Sequence, residues 1–122
     1  MYPKILVVSS DSNGLNAVLE VLSAAGYEAS GASTFSEGAR LLHEGSPDLL
    51  IADERLQDYN GMHLILRGRF FGPKLQAMVV GASEDAGLER DARSLNIPLV
   101  VKPSDPREWP LLVSKVFGRE AA

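Results

Sequence analysis

Pro47-Asp48-Leu49-Leu50-Ile51-Ala52-Asp53 is the stretch that decides the fold of this chain. Its four apolar residues are consecutive rather than alternating with polar ones. A strand with one wet face would alternate; a continuous run belongs to a strand buried on both faces. The run ends on an acid, so the strand leaves the core at a polar edge. In an open α/β sheet, ligands and chemistry gather at the carboxyl ends of the strands. Asp53 is therefore the first candidate site residue.

Working outward, apolar runs alternate with helical patterns along the whole chain. Ile5-Leu6-Val7-Val8 reads as a first buried strand, followed by the polar loop Ser9 to Gly14. Leu15, Val18, Leu19 and Leu22 recur at helical spacing, and Gly26 stops that helix. Tyr27 to Ala32 is a more polar strand, suited to a sheet edge. Ser33 or Thr34 caps the next helix with Glu37 in reach, and Phe35, Ala39 and Leu42 form its buried stripe. Leu49 to Ala52 is the third strand, and Asp53 to Asn60 reads as a polar loop. Met62, Ile65, Leu66 and Phe70 mark a third helix ended by Gly72-Pro73. Ala77 to Val80 is the fourth strand, breaking at Gly81. A fourth helix carries the thin stripe Leu88, Ala92 and Leu95. Leu99 to Val101 is the fifth strand. Asp105 caps a last helix with Pro106 at its first position, and Trp109, Leu112, Val113, Val116 and Phe117 face inward.

Five β-α units in sequence imply an α/β fold: a parallel sheet covered on both faces by helices. The flavodoxin-like strand order 2-1-3-4-5 fits best, because it needs only five strands and puts the polar second strand at an edge. Right-handed crossovers bring every strand's carboxyl end to one side. Ser9-Ser10-Asp11, Asp53, Gly81-Ala82-Ser83 and Lys102-Pro103 then converge on one shallow pocket.

The bulk composition agrees. A chain of 122 residues with 45% hydrophobic content supports one domain with an ordinary core, so residues 1–122 read as a single domain. There is no cysteine, which excludes disulfides and thiol catalysis. Twelve basic against sixteen acidic residues give a net charge of -4, and no Lys/Arg run stands out, so no nucleic-acid partner is expected. No apolar run approaches the roughly 18 residues needed to span a bilayer, and no secretory leader is legible. A cytoplasmic setting is the expectation, with no membrane partner.

From Lys4 to about Phe117 the chain resembles the receiver domains of two-component response regulators. Lys4-Ile5-Leu6-Val7-Val8 looks like that family's first strand. Pro47 to Leu56 followed by Gly61-Met62 looks like its phosphoacceptor segment, and Val101-Lys102-Pro103 like its lysine segment. The resemblance implies a signalling module rather than an enzyme. Asp53 would accept a phosphoryl group from a histidine kinase or phosphotransfer protein. Lys102, Ala82 and Ser83 would contact the phosphoryl group. Asp11, Asp53 and the main-chain carbonyl of Arg55 would be the ligands left for Mg²⁺. Such transfer rests on positioning and charge neutralisation, and Mg²⁺ wants several oxygen ligands.

Five positions depart from that pattern. Ser9 and Ser10 stand where the family usually has two adjacent acids. Gly81 stands where it has a hydroxyl, with Ser83 two residues on as a partial substitute. Leu99 stands where it has a switching aromatic, and Gln57 where it has a proline. Mg²⁺ binding and phosphorylation are accordingly expected to be weak at best. Signalling through protein contact without phosphorylation is the expected mode, with self-association through the fourth helix, fifth strand and last helix as one route. The alternative is a flavodoxin-like binder of FMN or another phosphate ligand. Its cradle would be Ser9 to Gly14 at a helix N-terminus, although Asp11 would repel a phosphate and few aromatics are available for a flavin ring. Asp11 can equally serve as a helix N-cap. His43 and His63 read as surface residues, and Trp109 as packing.

Overall fold

The computed structural model describes residues 2–57, 59–82 and 85–121. The chain runs β1 (Lys4–Val8), α1 (Ser12–Ala24), β2 (Glu28–Ala32), α2 (Phe35–Gly45), β3 (Leu49–Asp53), β4 (Arg55–Leu56), β5 (Tyr59–Asn60), α3 (Gly61–Phe71), β6 (Gln76–Gly81), α4 (Ala86–Ser94), β7 (Leu99–Val101) and α5 (Trp109–Ala121). A short 3₁₀ turn, Pro106–Glu108, leads into α5.

Five strands form one parallel sheet in the order β2-β1-β3-β6-β7. This is the expected 2-1-3-4-5 order once β4 and β5, which pair only with each other, are set aside. The register is pinned outside the apolar run as well: the Lys4 amide donates to the Asp48 carboxylate at 2.8 Å.

Strand alternation divides the core into two separate clusters. Leu6, Val8, Leu50, Ala52, Ala77 and Val79 face α2, α3 and α4, where Leu64, Ile65, Leu88 and Ala92 meet them. Ile5, Val7, Leu49, Ile51, Met78 and Val80 face α1 and α5, against Leu15, Val18, Leu22, Trp109 and Val113. The helices thus make the two outer layers of a three-layer sandwich. Trp109 is buried at 4% exposure, as the packing reading expected.

Three expectations need correction. The stretch after Asp53 is a tight antiparallel hairpin rather than a plain polar loop: Arg55 pairs with Asn60 and Leu56 with Tyr59. Leu56 is buried, and Gln57 takes the left-handed turn conformation (φ 58°). The inner face of α3 is Gly61, Met62, Leu64, Ile65 and Gly68, whereas Leu66 and Phe70 face solvent. Small residues occupy two inward positions there, so the helix packs close at Gly61 and Gly68. The last helix begins through the 3₁₀ turn, where Asp105 accepts the Arg107 amide at 2.9 Å.

Thr34 caps α2, its hydroxyl accepting the Glu37 amide at 3.2 Å. Thr34→Ala is expected to cost about 1 kcal/mol in urea unfolding, the ordinary value of an N-cap.

Candidate functional site

The same alternation that builds the core builds the site. Ser9 continues the Ile5, Val7 side of β1, and Asp53 the Leu49, Ile51 side of β3. Val8 is paired with Ala52, so the next residues, Ser9 and Asp53, stand side by side on the α1 face. The Ser9 hydroxyl donates to Asp53 Oδ2 at 2.6 Å. Ser9 is buried (6% exposed), while Asp53 is half-buried.

Lys102 follows β7, its amide donating to the Gly81 carbonyl at 2.9 Å and so extending the β6–β7 ladder by one residue. Its ammonium does not close an ion pair with Asp53. It lies 3.3 Å from Asp11 Oδ2 instead. Both partners are largely exposed, and Gly14 makes room for them. A Cβ on Gly14 would sit 2.6 Å from the Asp11 carboxylate and 3.2 Å from the Lys102 ammonium.

Asp11 also marks the start of α1 without closing a side-chain capping bond. The pull of the Gly14 amide, then of Lys102, holds its carboxyl below the ordinary carboxylate range. Asp11 thus sets a negative charge beside the Ser9 to Gly14 loop, where the alternative reading would seat a phosphate.

Burial pushes the Asp53 carboxyl up. The Ser9 hydrogen bond and the Lys102 charge pull it back, and the Asp11 charge adds to the rise. The signs give a test. Ser9→Ala is expected to raise the Asp53 pKa further, and Asp11→Asn to lower it, both read by carboxyl ¹³C titration. Because the folded pKa lies above the unfolded one, ionised Asp53 costs stability at pH 7. That cost is relieved as pH falls through the folded value toward 3.8. Asp53→Asn is therefore expected to raise Tm at pH 7, with the gain closing in acid; a constant difference across pH would contradict this origin.

Beside Asp53 a cleft of about 340 Å³ is floored by Val80, Gly81 and Leu88 and edged by Glu54, Arg55, Ala82, Asp85 and Lys102. Glu54 and Asp85 were not among the expected site residues. Asp85 is legible in retrospect as the cap of α4, accepting the Gly87 and Leu88 amides. Arg55 points to solvent and pairs with Glu54 at 3.4 Å. Gly81 is buried, and Leu99 packs into the core on the α2–α4 face. Ser10 is exposed, and Ser83 lies outside the described residues.

The residues present offer Mg²⁺ a sparse donor set, with Asp11 and Asp53 as its side-chain carboxylates. Among the described residues no three His, Asp or Glu side chains converge as a metal site. One oxygen of Asp53 already accepts the Ser9 hydroxyl, and Asp11 is engaged by a cation. A hard dication at Asp11 would compete with the Lys102 ammonium for its carboxylate.

No family model matches the sequence, and no curated protein matches it significantly. Solved structures do. A CheY-like response regulator receiver domain protein from Methanospirillum hungatei JF-1 superposes with a TM-score of 0.87 at 22% identity, covering 99% of this chain and 98% of that one. The chemotaxis protein CheY4 of Vibrio cholerae gives 0.87 at 18% identity over 95% and 99% of the two chains. A response regulator receiver domain protein from Clostridium thermocellum gives 0.85 at 22% identity over 98% and 97%. At these identities the likeness establishes architecture: this chain has the CheY-like, flavodoxin-like fold that its structural neighbours, receiver domains of response regulators, share.

Proposed function

We propose that this chain is a receiver-type module of two-component signal transduction that works by protein contact, with its phosphoacceptor chemistry disabled. The observation that carries the reading is a double engagement at the sheet edge. The Ser9 hydroxyl holds Asp53, and Asp11 holds Lys102. The nucleophile and the cation that phosphoryl transfer would need are each committed to a neighbour. Phosphoryl transfer draws its rate from preorganised charge, and here the Lys102 charge is turned to Asp11 while a neutral hydroxyl holds Asp53. The rise in the Asp53 pKa further weakens it as a carboxylate nucleophile near acidic pH.

Under this reading the module is not an enzyme. Its partners are a histidine kinase, a phosphotransfer protein or a second copy. The α4–β7–α5 face offers a contact surface, with Leu95 and Val101 partly exposed on it. The described helices contain none long and apolar enough to cross a membrane.

The test is direct. Incubation of the pure chain with Mg²⁺ and acetyl phosphate is expected to leave its intact mass unchanged. Stoichiometric phosphorylation that Asp53→Asn abolishes would overturn the reading.

A further inference from the structure

At the opposite edge of the sheet, residues from the C-terminal halves of α2 and α3 line a groove of about 1050 Å³, some three times the volume of the cleft at Asp53. Its floor is Ala39, Leu42 and Leu75. Gly68 keeps that floor open, since a Cβ there would meet Leu75 at 2.7 Å and Leu42 at 3.3 Å. Phe71 forms one wall at 68% exposure, its ring 6.1 Å edge-on from that of His43. Phe70 adjoins it at 81% exposure, with ring centroids 5.2 Å apart. Two neighbouring phenylalanines left in water beside an apolar hollow are uncommon on a monomer and mark an interaction surface.

The rim has a charge sign. Arg67 and Lys74 line it, and among the described residues neither has an ion-pair partner. Arg40 also lines it but is matched by Glu44 at 2.9 Å. The acid on the rim, Asp48, accepts the Lys4 amide and keeps its charge, so Arg67 and Lys74 together leave the rim one positive charge in excess. A locally basic rim on a chain of net charge -4 selects for an acidic occupant.

The geometry points to a docking site for an amphipathic helix with acidic flanks, its apolar stripe seated on Leu42, Phe71 and Leu75. An apolar groove lined by two helices suits a third helix anchored at i, i+3, i+4 and i+7. A second copy using the same face would bring the same basic excess to both sides of the interface, since a two-fold interface uses one patch twice. A bilayer would reach the phenylalanines but not the concave floor. The site lies at the amino ends of β3 and β6, so it stands independently of the reading of Asp53.

The test is a selection from a displayed library of amphipathic helices, roughly 16 residues long, with polar faces fixed as either Glu or Lys. Glu-faced binders are expected to dominate. Their affinity for the full chain is expected to fall at least about tenfold with Phe71→Glu and several-fold with Arg67→Glu. It is also expected to weaken about threefold between low and moderate salt. Leu111→Glu, at an exposed apolar position on α5, is expected to change nothing. All three positions are exposed, and circular dichroism of each variant verifies its fold. Equal enrichment of Lys-faced helices, or binders indifferent to Phe71→Glu, would overturn the proposal. Phe71-dependent sedimentation with phosphatidylglycerol vesicles would overturn it in favour of a lipid surface. A Phe71-dependent dimer would overturn it in favour of self-association.

Discussion

Ser9→Asp is expected to turn a magnesium-indifferent protein into one whose stability depends on magnesium. The Ser9 hydroxyl lies 2.6 Å from Asp53 Oδ2 at a buried position. A carboxylate there would stand against a second carboxylate that burial already disfavours. Two acids sharing one site cannot both ionise cheaply, and one takes a strongly raised pKa. Without a cation the variant is expected to lose about 2 kcal/mol or more at pH 7, the scale of an uncompensated charge in a protected site. A dication between the two acids would relieve that repulsion and gain the hard oxygen ligands that Mg²⁺ prefers. At a concentration about tenfold above its Kd, Mg²⁺ is expected to restore about 1.4 kcal/mol. Thermal unfolding with and without MgCl₂ reads both effects. A magnesium-dependent Tm in the unsubstituted chain would contradict the account of the site, and so would a Ser9→Asp variant that ignores the ion.

Gly61→Ala is expected to destabilise the fold by about 3 kcal/mol, at the upper end of overpacking costs, and to lower Tm by about 10 °C. Gly61 opens α3 directly after the Asn60 cap, whose side chain accepts the Met62 amide at 2.7 Å. Its own amide donates to the Glu54 carbonyl at 2.8 Å, pulling the helix start onto the end of β3. A Cβ there would collide with the main-chain carbonyl oxygen of Asp53 and press on the Ala52 side chain at 3.3 Å. Neither obstacle is the free end of a flexible side chain. Asp53 is paired with Val80 across the sheet, and the Glu54 amide donates to the Val80 carbonyl at 2.8 Å. Relief would have to move α3 or the strand end, and moving the strand end also moves Asp53. Gly118→Ala is the control. Among the described atoms nothing lies within 4 Å of its added methyl, and an open helical glycine gains up to about 1 kcal/mol on becoming alanine. A Gly61→Ala protein as stable as the parent would show that the helix start yields.

The sheet was legible because its three central strands are apolar on both faces and because loops punctuate the strands with Gly, Pro and Asp. Leu49 to Asp53 could hardly be anything else. The hairpin was not legible: its strands have two residues each, and a glutamine rather than a glycine takes the left-handed turn. The inner face of α3 was misassigned for a related reason. Gly61 and Gly68 face inward with no side chain to signal it, while Phe70 advertises hydrophobicity on a solvent face. At the site, Asp53 and Lys102 followed from strand ends. The partner each one takes did not, because Asp11 reaches Lys102 across 91 residues of sequence through space that only the fold creates.

The two-sided burial of β3 carries a consequence for folding fidelity. In a sheet with one wet face, a one-residue slip turns the greasy side outward and is rejected at once. Leu49, Leu50, Ile51 and Ala52 are apolar on both sides, so a slipped β3 would stay well solvated by core on either face. What penalises the slip sits at the strand's two ends. Asp48 would lose the Lys4 amide, and the carbonyl of Asp53 would lose the cavity that a missing side chain at position 61 leaves for it. Those polar and glycine positions act as proofreading marks for a segment whose interior cannot proofread itself.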